Sequence, residues 1–311
     1  MNVVLVGEEA AGIQTLRRLP QMGHRVAAVL ASPKRREAST CLWNAARALG
    51  YSPQPVDLVS DPSFADWMRA ERVDVLLNVH SLRLIRGDVL GAPRFGSFNL
   101  HPGPLPRYAG LNSVCWAIYH GETVHGVTLH HMAPEVDAGA IAYQAMIEIG
   151  EDETGLTLSA KCVREGLPLV FQLLAALADP DSVPNRPQDL SKRTFFGAAK
   201  PQGGELKWSA TAREIVNFVR AADFIPFRSP WGHPTTLSRG RRIGVARATV
   251  TGRSSGAAPG TVTAAHDGAV EVAAADDWVL VTLVEIEGRY VAPATVLEAG
   301  GSLHVGLEGR D

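Results

Sequence analysis

The chain is expected to fold as an α/β protein, with an N-terminal Rossmann-like domain on a parallel sheet and a smaller C-terminal β-barrel of OB-like type. Three observations lead there. Short apolar, β-branched runs alternate with helical spacing through the first half of the chain. The texture turns polar and proline-rich just after residue 178. Beyond residue 234 only short strands remain, separated by Gly and Ser turns. A length of 311 residues also exceeds a usual single domain.

Taken in order, residues 2–6 form a first strand ending at Gly7, and residues 10–22 carry helical spacing. A strand at 26–30 and a helix at 38–49 repeat the pair. A short helix at 64–70, a strand at 73–79 and another at 95–100 follow. Such alternation with short turns implies parallel strands covered on both faces. Two longer strands, 124–131 and 140–149, precede a strong helix at 154–177. The stretch 179–187 has linker chemistry, and a helix at 211–221 leads into strands at 242–250, 268–273 and 278–285, with a flexible loop at 252–260. The domains are therefore set at 1–190 and 206–311, joined by a linker at 191–205.

Composition excludes several classes. Thirty basic and thirty-two acidic side chains leave a charge of −2, so no global field draws the protein to nucleic acid or anionic lipid. Cys41, Cys115 and Cys162 form no C-x-x-C pair, which fits a reducing compartment and supplies no disulfide framework or zinc site. The apolar N-terminus is short and lacks a basic flank, so it reads as a buried strand rather than a signal peptide. No apolar run approaches the roughly 18–20 residues that span a bilayer. The expected location is cytoplasmic.

Chemistry concentrates in Phe98-Asn99-Leu100-His101-Pro102-Gly103-Pro104-Leu105-Pro106. Alternation along a strand puts Asn99 and His101 on one face, at the carboxyl end where open α/β sheets hold ligands. Three prolines stiffen the following loop into a wall for a substrate, and Pro104, Leu105, Pro106, Tyr108 and Gly110 are its expected contacts. The second element is Val136-Asp137-Ala138-Gly139, a tight turn in which Gly139 is expected to take an unusual backbone conformation. Asp137 beside His101 would orient the ring and favour its protonated form.

Asn-x-His at a strand end, a proline-containing loop and a later Asp together resemble the signature of folate-dependent formyltransferases. That superfamily includes methionyl-tRNA, sugar-nucleotide, glycinamide ribonucleotide and hydroxyornithine formyltransferases. Residues 73–165 carry the better match, and 205–311 resemble the C-terminal domain of methionyl-tRNA formyltransferase. The loop departs from the family's Ser-Leu-Leu-Pro, since Pro-Gly-Pro-Leu-Pro stands here without the serine. The resemblance implies catalysis by Asn99, His101 and Asp137, with 10-formyltetrahydrofolate as co-substrate and no metal. It also implies that backbone groups of Arg83, Leu84 and Ile85 hold the pterin, with Leu90 and Val136 lining its slot.

Other motifs are weaker. Gly7-Glu8-Glu9-Ala10-Ala11-Gly12 is not Gly-x-Gly-x-x-Gly, and its carboxylates would repel a pyrophosphate. His120, His125, His130 and His131 suggest a metal cluster, but alternation sends His130 and His131 to opposite faces and no ligand set is completed. Arg239, Arg241 and Arg242 read as a solvated edge. Trp231, in a Pro-Trp segment similar to one in tRNA formyltransferases, reads as packing between domains rather than as a wall of the substrate site.

Three acceptors are open: a small-molecule amine (amino sugar, amino acid or hydroxylamine), methionyl-tRNA, or water in a formyltetrahydrofolate hydrolase. Near-neutral charge, and a basic stretch reduced to Ser32-Pro33-Lys34-Arg35-Arg36, place the small-molecule amine first and tRNA second. The barrel, which resembles that of transferases, places the hydrolase last.

Overall fold

A computed structural model describes residues 1–33 and 41–304. Its chain divides into two compact units: Met1–Gly110, Gly126–Ile147 and Lys161–Phe195 form one, while Leu111–His125, Glu148–Ala160 and Phe196–Asp311 form the other. Among the described residues no helix is long and apolar enough to cross a membrane.

The first unit is organised by a seven-stranded sheet. Its strands are β1 (Asn2–Gly7), β2 (Arg25–Ala31), β3 (Gln54–Pro55), β4 (Val75–Val79), β5 (Ser97–His101), β7 (Val124–His131) and β8 (Ile141–Glu148), in the order β3-β2-β1-β4-β5-β7-β8. The short β6 (Ala109–Gly110) lies outside it and pairs with β9 (Phe195–Phe196). Strands covered on both faces read as continuous apolar runs, and Val3 to Val6 and Val75 to Leu77 are buried throughout. Helices α1 (Glu9–Gln21), α2 (Leu42–Ala48), α3 (Pro62–Ala70) and α4 (Gly87–Leu90) connect these strands. α3 starts where sequence chemistry says it should: the Asp61 carboxylate accepts from the Ser63 N–H and Pro62 takes the first turn. The sequence expectation of a helix over 38–49 is met from Leu42 onward; residues 38–40, like the basic Lys34, Arg35 and Arg36, lie outside the described residues.

The sheet is parallel from β3 through β5, as expected, but β7 runs antiparallel to β5. Between those two strands the chain makes only one helix, α5 (Ser113–Tyr119), and it belongs to the second unit. No crossover helix of the first unit carries the chain back to the start of the sheet, so the strand returns in the opposite sense. This correction to an all-parallel sheet matters because residues directly opposite in an antiparallel pair stand on the same face.

Helix α6 (Gly155–Ala176) runs from the second unit into the first. In the second unit α5 packs on α7 (Ala212–Ala221). α7 opens with a reciprocal capping box between Thr211 and Glu214 and buries Ile215, Val216, Phe218 and Val219. An antiparallel half-barrel follows: β10 (Thr235–Ser238), β11 (Arg241–Ser254), β12 (Val262–Ala264), β13 (Val270–Ala273), β14 (Asp277–Ile286) and β15 (Arg289–Val291), in the order β10-β11-β14-β13-β12, with β15 on β14. β11 continues through Ser254 and takes up the start of the segment expected to be a flexible loop. Trp231 is buried within this unit, edge-on to Trp116 at 5.0 Å, so packing is its role there.

Candidate active site

Register builds the site. The parallel pairing of β4 with β5 sets Asn78 beside Asn99, and the antiparallel pairing of β5 with β7 sets Asn99 beside His130. Asn78, Asn99 and His130 therefore form one polar row across three central strands. Two residues further along β5, His101 stands opposite Thr128 on the same face.

The orientation of every group in the first row follows from its two ends. The Ser81 carbonyl can only accept, so the Asn78 amide turns Nδ2 to it at 3.1 Å and donates also to Asn99 Oδ1 at 3.0 Å. Asn99 is left with Nδ2 facing His130 Nε2 at 3.0 Å and Asp137 Oδ1 at 3.3 Å. At the far end the His131 carbonyl lies 2.8 Å from His130 Nδ1. The proton of His130 thus belongs on Nδ1, and Nε2 carries the lone pair that the Asn99 amide needs.

Asp137 closes the arrangement from the β7–β8 turn. Its Oδ2 accepts from the Gly110 N–H at 2.8 Å and lies 3.5 Å from His101 Nδ1; its Oδ1 lies 3.5 Å from His130 Nε2. The turn is pinned by Gln188, which donates to the carbonyls of Asp137 and Gly139, and by Arg193, which donates to that of Val136. The unusual backbone conformation of this turn belongs to Asp137, which is left-handed at φ 55°, while Gly139 has no positive φ. Gly139 is needed for a different reason: a Cβ there would overlap the His131 carbonyl oxygen. Gly103 likewise lets the loop cross His101, since a Cβ would sit 2.6 Å from its Nε2.

Burial works against the Asp137 charge, but the neighbouring His130 and His101 rings and the Gly110 N–H outweigh it together and bring its pKa down to about 2. For His101 the balance reverses. Burial lowers its pKa below the usual histidine value, against the Asp137 charge and the Tyr108 carbonyl. The expected imidazolium is therefore a neutral ring, because desolvation exceeds the attraction of the nearby carboxylate. Its Nε2 lies 2.8 Å from the Tyr108 carbonyl, which places the proton there and leaves the Nδ1 lone pair on the Asp137 side. A proton accepted at Nδ1 would give an imidazolium with an oxygen acceptor at each nitrogen.

The loop residues serve the site through the backbone. Leu105 and Tyr108 are buried; Leu105 N–H donates to Thr128 Oγ1, Tyr108 N–H to Thr194 Oγ1, and Gly110 N–H to Asp137. Pro104 and Pro106 flank Leu105 in the same loop. On the side expected to hold the carrier, Leu82 and Leu84 are 79% and 69% exposed, unusual for leucines following a central strand. Ile85 packs on the apolar core of the first unit, Leu90 is buried, Val136 is exposed, and the Arg83 guanidinium pairs with Asp57. Residues 81–85 thus offer apolar surface beside backbone polar groups, which suits a flat heteroaromatic ring.

In the sequence His130 stands only among the histidines of a discarded metal cluster, and neither Asn78 nor His80 belongs to a site motif. His130 and His131 face opposite ways, as alternation predicts: His131 packs on the Phe98 ring and turns Nε2 to the Pro184 carbonyl. Among the described residues no group of three or more His, Cys, Asp or Glu could hold a metal ion. The signal for Asn78 was present as a lone amide inside the apolar run Val75-Leu76-Leu77-Asn78-Val79.

Residues 2–172 match the model of the formyl transferase family, and residues 199–300 match that of the formyl transferase C-terminal domain. The chain belongs to the formyl transferase family. It is an N-formyltransferase. A methionyl-tRNA formyltransferase of Anaeromyxobacter dehalogenans is 30% identical over 315 residues, covering 96% of this chain and 97% of the relative. Among solved structures, the sugar 3N-formyl transferase WlaRD, studied with dTDP and 5-N-formyl-THF, superposes with a TM-score of 0.68 at 15% identity, over 90% of this chain and 96% of that one. HypX of Aquifex aeolicus, solved with tetrahydrofolic acid, gives 0.64 at 20% identity, over 95% of this chain and 46% of that one. At these identities the structural likeness is one of fold.

Proposed function

We propose that this N-formyltransferase moves a formyl group from 10-formyltetrahydrofolate to the α-amine of an aminoacyl-tRNA, methionyl-tRNA being the acceptor for which its relative is named. The observation that supports this acceptor is the end-to-end match to that relative, through both the sheet unit and the half-barrel. It moves the acceptor from the small-molecule amine expected on charge to tRNA. The donor is the formyl-tetrahydrofolate of this family, and the exposed leucines at 82 and 84 suit its ring.

In this reading the carrier supplies the formyl carbon, and the chain supplies polarisation and proton handling. The Asn99 amide donates to the formyl oxygen, exchanging its longer 3.3 Å contact with Asp137 for that ligand. His130 and Asn78 hold the amide from either side, so little reorganisation accompanies the charge that develops. The neutral His101 takes a proton from the attacking amine at Nδ1, and Asp137, ionised throughout the physiological range, stabilises the imidazolium. That proton then returns to the departing carrier nitrogen, so no net proton is gained or lost.

A second reading, a small-molecule amine, is favoured by charge. The turn after β1 brings Glu8 and Glu9 to the rim, where the Glu8 N–H donates to the Val79 carbonyl. Five arginines of the second unit, Arg239, Arg241, Arg242, Arg247 and Arg253, already pair with carboxylates rather than standing ready for phosphates. The test is one assay with 10-formyltetrahydrofolate and three arms: methionyl-tRNA, an amino-sugar nucleotide, and no acceptor. Formyl-methionine recovered from the first arm is expected. Mass gain in the second arm alone overturns the tRNA acceptor, and folate release in the third at the same rate identifies a hydrolase.

A further inference from the structure

His80 follows Val79, the last paired residue of β4, and stands at the carboxyl end of that strand, two positions after Asn78. It lies near enough to His101 to feel that ring's charge whenever it is protonated. Two features of His80 are unexplained by contacts within the chain. Its backbone is left-handed, at φ 62°, a conformation that costs any residue with a Cβ. Its Nε2 is buried and has no hydrogen-bond partner. Strain and an unsatisfied buried nitrogen at one residue, at the ligand end of a central strand, are the marks of a group held for a molecule that is not part of the protein. The next residue, Ser81, begins the stretch with the exposed Leu82 and Leu84.

We propose that His80 is a ligand-contacting residue, its Nε2 hydrogen-bonding the formyl carrier as the carrier's ring settles on residues 81–85. This rests on the folate donor of the preceding section. The ring does so uncharged: burial, and repulsion from His101 whenever that ring takes up a proton, outweigh a smaller pull from Glu9 and push its pKa down to about 4. A neutral imidazole donates or accepts without bringing a buried charge into the slot, and so leaves proton transfer to His101.

The probe is 5-formyltetrahydrofolate, titrated calorimetrically into the full chain without acceptor. His80→Gly relieves the left-handed backbone and removes the ring, so its Tm should equal or exceed that of the wild type while Kd rises about tenfold, equivalent to ~1.4 kcal/mol. His80→Asn tolerates the same backbone and keeps a polar end, so it should recover most of the affinity. A Kd unchanged in His80→Gly overturns the proposal, as does a fall in Tm large enough to account for lost binding in both variants. Absence of binding by the wild-type chain would sink the donor reading itself, and this inference with it.

Discussion

The rim of the first unit and the outer face of the half-barrel both set carboxylates against nitrogenous side chains, with opposite consequences. At the rim, Asp137, His101 and His130 are buried, and each polar atom has its direction set by a neighbour. On the half-barrel, Arg239–Glu298, Arg241–Glu287 and Arg253–Glu271 stand with their guanidinium groups more than half exposed. Water screens the second set, and exposed pairs of this kind contribute about 0–1 kcal/mol. In the first set the same Coulombic forces act with little screening and compete with desolvation, and the balance moves pKa values. Residue type is shared between the two regions; burial decides which one performs chemistry.

The sharpest way to break this contrast is Asn99→Ala. Removing a preorganised donor should lower turnover by about 10²–10³, with the fold retained, as steady-state kinetics and circular dichroism will show. A loss under tenfold would remove Asn99 from the mechanism. Next in size is Gly139→Ala, whose Cβ collides with the His131 carbonyl and must displace the turn that carries Asp137. Urea denaturation should find as much as about 3 kcal/mol lost, typical of overpacking, with activity lost in parallel.

Asp137→Asn sharpens the electrostatic half of the contrast. The folded carboxylate is held down at about 2, below the ordinary aspartate value of 3.8, so its contribution is present above pH 3.8 and is lost as pH falls through 2. Wild type should exceed the variant by about 2 kcal/mol at neutral pH, and that difference should vanish across the acid window. A difference independent of pH would mean that the charge of Asp137 is not what the site stabilises. The smallest effect belongs to the other region: Arg239→Ala should cost less than about 1 kcal/mol, diminish with salt, and leave turnover unchanged.

Legibility in the sequence follows the same line between local and non-local causes. Strand and helix positions were readable because periodicity and capping are local: residues 211–221 predicted a helix that forms over Ala212–Ala221, and residues 124–131 a strand that forms as Val124–His131. Asn99 and His101 were readable as a pair because two residues on one strand share a face whatever the rest of the chain does. His130 was not. Taken alone, its neighbours in sequence suggested a metal cluster, and only the antiparallel register brings it to Asn99. The same holds for Asn78, whose single signal was an amide in an apolar strand. Gly139 was recognised as necessary, but for its φ; the actual constraint is the close approach of the His131 carbonyl, a contact across the turn.

The amino-acid sequence by itself determined the order of the elements, the family, and the three polar residues that meet at the rim. Those are properties of short segments, and a motif travels with its segment. Only the tertiary structure decided which strands are neighbours and in which sense, and so which side chains complete the row and whether His101 carries a proton. Desolvation depends on everything packed around a group, and no stretch of sequence contains its own surroundings.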